Sequence, residues 1–321
     1  MHAATVVDGH LEWQEHPDPE PGSGELLIDV RAAGINNADL LQRKGLYPAP
    51  PGSPADVPGL ELAGEVVGLG PGVNRFSTGD RVMAVVGGGG HAELAVVHER
   101  AVMPVPPGLS WSQAGGFPEA YTTAHDALFT QCGLAVGQHA LVHAAAGGVG
   151  LAGVQLALEA GARVTATVRN PELRAGVAEL GAGEAAGRPL EVTAHDDFAD
   201  RGPFDVVLEL IGGPNLASDL TTLAVGGHIV VIGVGGGSRA EVDLLALMAK
   251  RATIHASTLR ARPLEQKAAA ARLVEAHVLP AVASGRIQVP VAATLPFDEP
   301  DAAYDRFAAG GKLGKLVLLR A

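Results

Sequence analysis

The sequence holds a single cysteine, Cys132, in 321 residues. One cysteine excludes an intrachain disulfide and any zinc site built from cysteine thiolates. Basic runs are missing as well. Lysines and arginines are scattered, and the formal net charge is −12. Such a surface has nothing to neutralise a phosphate backbone or an anionic bilayer, so neither nucleic acid nor membrane is expected as a partner. No apolar stretch reaches the length of a bilayer span, and the start of the chain, from Met1 to Thr5, shows no basic n-region with an apolar core. A cytoplasmic protein with two domains is expected. The twelve histidines form no H-E-x-x-H motif and no clustered pair. His195-Asp196-Asp197 reads as a solvated loop, and His143 as a strand residue whose ring nitrogens find local partners.

What is present is a glycine-rich turn that organises the rest. The apolar run Leu141-Val142 gives way to His143-Ala144-Ala145-Ala146-Gly147-Gly148-Val149-Gly150, and helical spacing follows from Leu151 to Leu158. The spacing Ala145-x-Gly147-x-x-Gly150 is one methyl group away from the G-x-G-x-x-G fingerprint of a dinucleotide fold. Ala145 and Gly147 keep the turn narrow enough for backbone N–H groups to reach a pyrophosphate. Gly150 lets the helix pack on the strand, and the helix N-terminus offers unpaired donors and a partial positive charge. Ala162 to Val168 reads as the next strand, completing the βαβ order. At its end, where an NAD enzyme carries an acidic residue on the ribose, stands Arg169. An arginine there suits a 2′-phosphate, with Arg174 as a second cation; the bland alternative is a surface arginine stacked on adenine.

Up to about residue 117 the chain shows short strands broken by Pro and Gly: Leu26–Ala33, Leu62–Leu69, Arg81–Val86 and Ala92–Val97. This pattern predicts a compact, barrel-like β domain. A short helical pattern between Ile35 and Tyr47 and a proline-rich loop from Pro48 to Pro58 separate the first two strands. Gly87 to Gly90 reads as a hairpin or loop. From Pro118 strands and helices alternate, with further strands at Phe204–Leu210 and Gly227–Gly233, whose lack of clean alternation fits a parallel sheet covered on both faces, and Thr253–Ser257 as the last strand of that sheet. Beyond Pro263 an Ala-rich helix is expected to about Ser284, then a strand from Ile287 to Leu295, a helix from Pro300 to Ala309 and a strand from Lys315 to Leu319.

The layout, and the segments Gly34-Ile35-Asn36-Asn37-Ala38-Asp39, Arg43-x-Gly45-Leu46-Tyr47, Pro58-Gly59-Leu60-Glu61-x-x-Gly64, Gly79-Asp80-Arg81-Val82 and His143 to Gly150, resemble the zinc-free quinone oxidoreductase branch of the medium-chain dehydrogenase/reductases over essentially the whole chain. Met83–Gly90 and Ser257–Arg262 are similar to its stress-inducible type. The resemblance implies an α/β fold: a Rossmann doubly wound parallel sheet at 118–262, and a GroES-like, β-barrel-type catalytic domain at 1–117 to which 263–321 returns. Zinc-dependent relatives carry a Cys and a His where this chain has Asn36 and Leu60, neither a credible zinc ligand, so no metal is expected.

Without a metal, charge growing on a carbonyl oxygen needs other stabilisation, which favours electron-poor acceptors such as quinones and conjugated enones. The resemblance implies that Tyr47 and Arg260 line the acceptor cleft, with Asn36 and Asp39 as a polar pair nearby. Tyr47 could instead anchor the proline-rich loop, and Asp39 could simply brace Arg43. For the cofactor, NADPH, the matching residues are Thr123, Ala146, Gly147, Gly148, Val149, Gly150, Arg169, Arg174, Ile232, Gly233, Val234, Ser257, Thr258, Leu259 and Lys315. Many relatives carry a tyrosine near the adenosine where this chain runs Leu190-Glu191-Val192-Thr193-Ala194-His195. The expected activity is NADPH-dependent reduction of a quinone or similar activated carbonyl by a homodimer paired through an edge strand. The rivals are an enone or enoyl double-bond reductase and a non-catalytic NADPH-binding protein.

Overall fold

The computed structural model describes residues 1–182 and 189–320. A hairpin opens the chain, β1 (His2–Val7) and β2 (His10–Glu15). Asp8 and Gly9 turn it, both at positive φ (49° and 84°), the conformation that an Asp-Gly pair supplies in two-residue hairpins. The hairpin precedes the first strand expected from sequence. Next come β3 (Glu25–Gly34), α1 (Asn37–Arg43), β4 (Glu61–Leu69), β5 (Arg81–Val85), β6 (Leu94–His98), β7 (Val102–Pro104), α2 (Trp111–Gly115) and α3 (Pro118–His125). The alternating half begins with β8 (His139–Val142), α4 (Gly148–Glu159), β9 (Arg163–Thr167), α5 (Arg174–Ala182) and β10 (Leu190–Thr193). It continues through β11 (Phe204–Glu209), α6 (Leu216–Thr222), β12 (Leu223–Val231), α7 (Leu244–Lys250) and β13 (Thr253–Ala256). Then follow α8 (Leu264–His277), α9 (Leu279–Ala283), β14 (Val291–Pro296), α10 (Pro300–Ala308) and β15 (Lys315–Leu319).

Six strands form a parallel sheet in the order β10-β9-β8-β11-β12-β13. The order reverses between β8 and β11, and in such sheets ligands bind beyond the carboxyl strand ends at that reversal. The second sheet runs β14-β15-β3-β4-β5-β7, with β6 also on β3. The ten-residue β3 takes three antiparallel partners: β4, β6 along its first half, and β15 at its end. Its near-perfect alternation of buried positions explains why one strand can anchor the whole sheet.

Helix α3 is the seam between the sheets. It packs on α4, on α8 and on β5, and its Tyr121 ring stacks on Phe117 at 4.6 Å between centroids. The Tyr121 hydroxyl donates to the carbonyl of Gln288 at 2.6 Å. One expected element is corrected: the helix beyond Pro263 is two helices. It stops at His277, and α9 restarts with Pro280 in its first turn, because proline has no N–H to continue the ladder of α8. No helix among the described residues is long and apolar enough to cross a membrane.

Candidate active site

The glycine turn leaves β8 through Ala144, held at φ +49°, and the Gly147 N–H returns to the Ala144 carbonyl at 3.0 Å. The helix begins at Gly148, three residues earlier than its apolar spacing suggests, so the N–H groups of its first turn face outward without helical partners. Gly150 is required by packing: a Cβ there would lie 2.5 Å from the Ala144 oxygen and 2.8 Å from the Ala145 Cα. At Gly147 a Cβ would meet only the Ala144 oxygen, at 3.5 Å, so the front of the turn is open. An open turn of small residues on a helix N-terminus fits a dinucleotide phosphate.

Arg169 follows β9, exposed and without a partner among the described residues. Arg174 is half-buried at the start of α5; its Nε donates to the Val168 carbonyl at 3.2 Å. Ile232-Gly233-Val234 and Ser257-Thr258-Leu259 follow β12 and β13 and so share this carboxyl edge. The Ser257 hydroxyl donates to Asp126 Oδ2 at 2.9 Å, and Arg262 clasps the same carboxylate. Thr123 on α3 is buried and donates to Glu119 Oε1 at 3.3 Å.

Beneath the turn, His143 does find local partners: Nδ1 lies 3.0 Å from the Thr167 hydroxyl and Nε2 2.8 Å from Asp219 Oδ1. Glu209 closes the group, its carboxylate accepting N–H bonds from Ile211 and Gly212. Burial pushes Glu209 and Asp219 up to about 7 and His143 down. Among the described residues this is the one histidine–carboxylate group with metal-like spacing, and it is sealed beneath the turn. The fold also makes two histidine pairs that the sequence conceals, His125 with His277 at 3.2 Å and His228 with His255 at 3.0 Å.

Across the seam, the residues matched by resemblance to the acceptor cleft surround a buried ion pair. Lys315 Nζ lies 2.6 Å from Glu61 Oε1 and 2.6 Å from Asn36 Oδ1, and also donates to the Ile35 carbonyl at 3.2 Å. Asn36 Nδ2 donates to Glu61 Oε1 at 2.9 Å. The ammonium therefore sits among the residues where zinc-dependent relatives hold a metal, and Leu60 is buried. This donor set does not fit zinc, since a fixed cation already holds the one carboxylate. The stem of Lys315 reaches the cofactor turn, where a Cβ on Gly148 would come within 2.6 Å of its Cδ. The sequence-derived match of Lys315 to the cofactor thus meets a side chain that touches the turn by its stem and commits its ammonium to Glu61 and Asn36.

Asp39 is fully buried and accepts from the Asn36 N–H at 2.7 Å and the Gly59 N–H at 3.1 Å; burial pushes it up to about 7. The alternative that it braces Arg43 is corrected. Arg43 pairs with Asp301 and Asp305, at 3.0 and 3.1 Å, and lies over the Tyr304 ring. Arg260 is buried and donates from Nε to the Gly87 carbonyl at 2.8 Å, from Nη1 to the Tyr47 carbonyl at 2.9 Å, and from Nη2 to Gln42. Its guanidinium also covers the Tyr47 ring at 4.9 Å. Arg260 therefore fixes the Tyr47 loop instead of presenting a free fork to an acceptor. The Tyr47 hydroxyl makes no hydrogen bond among the described residues. Burial raises its pKa, Arg260 opposes the rise and Glu119 adds to it.

Sequence reasoning overlooked Glu119. Its signal was available: it stands four residues before Thr123, on the same face of a helix.

Residues 22–107 match the alcohol dehydrogenase GroES-like domain, and residues 148–276 the family described as zinc-binding dehydrogenase. The quinone oxidoreductase of Rattus norvegicus is 32% identical over 307 residues, covering 94% of this chain and 91% of its own. The quinone oxidoreductase of Thermus thermophilus, solved alone and with NADPH, superposes with a TM-score of 0.84 at 32% identity, covering 99% of this chain and all of the other. An alcohol dehydrogenase superfamily protein from Novosphingobium aromaticivorans gives a TM-score of 0.86 at 28% identity, covering 99% of each chain.

Proposed function

The chain belongs to the quinone oxidoreductase family of zinc-independent medium-chain dehydrogenase/reductases, and from that membership we propose that it reduces quinones or similar activated carbonyl acceptors with NADPH. The observation that carries this reading is the open glycine turn facing, across α3, a polar cluster built on a lysine ammonium. When bound, NADPH supplies the hydride; binding and charge stabilisation are left to the chain. The N–H groups of Gly148, Val149 and Gly150, which have no helical partners, would hold the pyrophosphate. Arg169 and Arg174 take the 2′-phosphate, while Thr123, Ile232 to Val234 and Ser257 to Leu259 line the remaining length of the cofactor. Tyr47 donates a hydrogen bond to the acceptor oxygen as charge grows there, steadied by Arg260. Asn36, Asp39 and Lys315 form the polar wall of the cleft, the ammonium balanced by Glu61. Residues 118–262 are the cofactor unit in this reading, and 1–117 with 263–321 the catalytic one.

Arg169 provides the test. Charge-assisted bonds of about 1.5–3 kcal/mol make NADPH the better cofactor by roughly tenfold to a hundredfold in kcat/KM. Arg169→Ala should remove most of that preference and leave NADH turnover nearly unchanged. Steady-state kinetics with both cofactors and a quinone decide it; equal or better efficiency with NADH in the unaltered protein refutes the assignment, and no NADPH oxidation with any quinone refutes the function.

We also propose a homodimer and a cytoplasmic location. The edge strand β13 is preceded by α7, whose Leu244, Leu245 and Met248 stand 66–76% exposed. An apolar patch beside an open sheet edge supports association there. Leu245→Glu should convert the dimer to monomers in analytical ultracentrifugation, and an unaltered protein that sediments as a monomer at micromolar concentration removes the proposal.

A further inference from the structure

Hydride transfer leaves the acceptor anionic, and a proton must follow. Tyr47 is poorly matched to give it, because its surroundings raise its pKa above the ordinary phenol value. Glu119 is better placed. It sits on α3, the helix that joins the two sheets, with its backbone N–H donating to Glu61 Oε2 at 2.8 Å and its Oε1 accepting from Thr123, one of the cofactor-side residues. Its other oxygen, Oε2, is enclosed and has no hydrogen-bond partner. A carboxyl oxygen left enclosed and unpaired between Thr123 and the Glu61–Lys315 pair is costly, so its position calls for a use.

We propose that Glu119 is a catalytic acid, giving the proton that completes reduction of the acceptor. This rests on the hydride-transfer reading above. Two electrons and one hydrogen arrive with the hydride from NADPH, which becomes NADP. As the reduced acceptor takes its proton, an O–H bond (or, for an enone, a C–H bond) forms on it and the Oε2–H bond of Glu119 breaks. The carboxylate regains a proton from solvent when product leaves.

The charged and titratable groups around Glu119 agree with this role. Glu61 on β4 and Asp39 on α1 oppose its ionisation, while Lys315 on β15 favours it; burial is the largest influence, and together they hold Glu119 up to about 7. Tyr47, Arg260 and Lys267 of α8 all feel its charge in turn. A donor with that affinity is protonated often enough at neutral pH and gives its proton readily. The sign follows: because the acid form is needed, turnover falls as pH rises through about 7.

The test compares the whole protein with Glu119→Gln and Glu119→Asp. Quinone turnover is followed from about pH 5 to about pH 9, NADPH affinity by fluorescence, and the carboxyl itself by infrared titration without cofactor. Glu119→Gln should lose roughly 10²- to 10⁴-fold in kcat, lose the alkaline fall and bind NADPH as before. Glu119→Asp should recover part of the rate. The infrared difference between the unaltered protein and Glu119→Gln should contain a protonated carboxyl band that disappears as pH rises through about 7. A Gln variant that keeps both rate and alkaline fall, or a carboxyl ionised throughout, overturns the donor role while the quinone activity stands. An unaltered protein that oxidises no NADPH with any quinone sinks both.

Discussion

Lys315→Met is expected to destabilise the protein by about 3–5 kcal/mol, the cost of leaving one member of a buried ion pair uncompensated. The pair is enclosed: the side chains are 6% and 0% exposed, so water cannot replace the ammonium beside Glu61. Methionine matches the stem of lysine in length and keeps the packing against the Gly148 turn, which isolates the electrostatic loss. Adding Glu61→Gln should recover most of the stability, since a neutral pair of similar shape removes the stranded charge. Urea unfolding of the two single variants and the double variant measures this directly. A single variant within about 1 kcal/mol of the unaltered protein would mean that solvent reaches the pair and the cluster is not a sealed electrostatic unit. The same substitution leaves Asn36 Oδ1 without its ammonium partner, while the backbone N–H of Asn36 keeps its bond to Asp39.

Tyr47→Phe carries the second large expectation, a loss of roughly tenfold to a thousandfold in kcat with NADPH affinity held. Phenylalanine preserves the ring that Arg260 covers and leaves the Tyr47 carbonyl in place for Nη1, so the loop keeps its anchor and only the hydroxyl goes. That hydroxyl is unpartnered among the described residues, as expected of a donor reserved for an acceptor. Its raised pKa keeps it protonated across the working range, so the loss should be nearly uniform with pH, unlike that of Glu119→Gln. Unchanged quinone turnover in Tyr47→Phe would reduce the residue to an anchor for the proline-rich loop.

The cofactor side was the more legible half of this sequence, because its signals are local. The turn from Ala145 to Gly150, the strand after it and Arg169 at its end follow one another in the chain, and backbone sterics dictate them. Even there, the helix reaches back to Gly148, since small residues at an N-terminus satisfy a turn and a helix equally well. The Lys315 cluster was less legible because it is assembled from distant segments: Asn36, Glu61, Glu119 and Lys315 come from four parts of the chain, and no spacing connects them. The zinc positions could be read one by one; that an ammonium stands among them could not. Two losses were avoidable. Asp8-Gly9 is a strong hairpin signal, and Pro280 is a plain reason to end the helix before it.

The sheet that holds Glu61 takes its final pairing, β15 on β3, from the far end of the chain, with the whole parallel sheet inserted between. The order in which the molecule can assemble follows from this. The parallel sheet is contiguous in sequence and can form from local βαβ closures while the flanking strands wait. The other sheet needs a loop closure spanning that entire insertion, and such distant contacts form late and slowly. Lys315 arrives with that last strand. Until it docks, Glu61 and Asn36 lack their cation, so the glycine turn can form before the buried polar cluster has its charge balance.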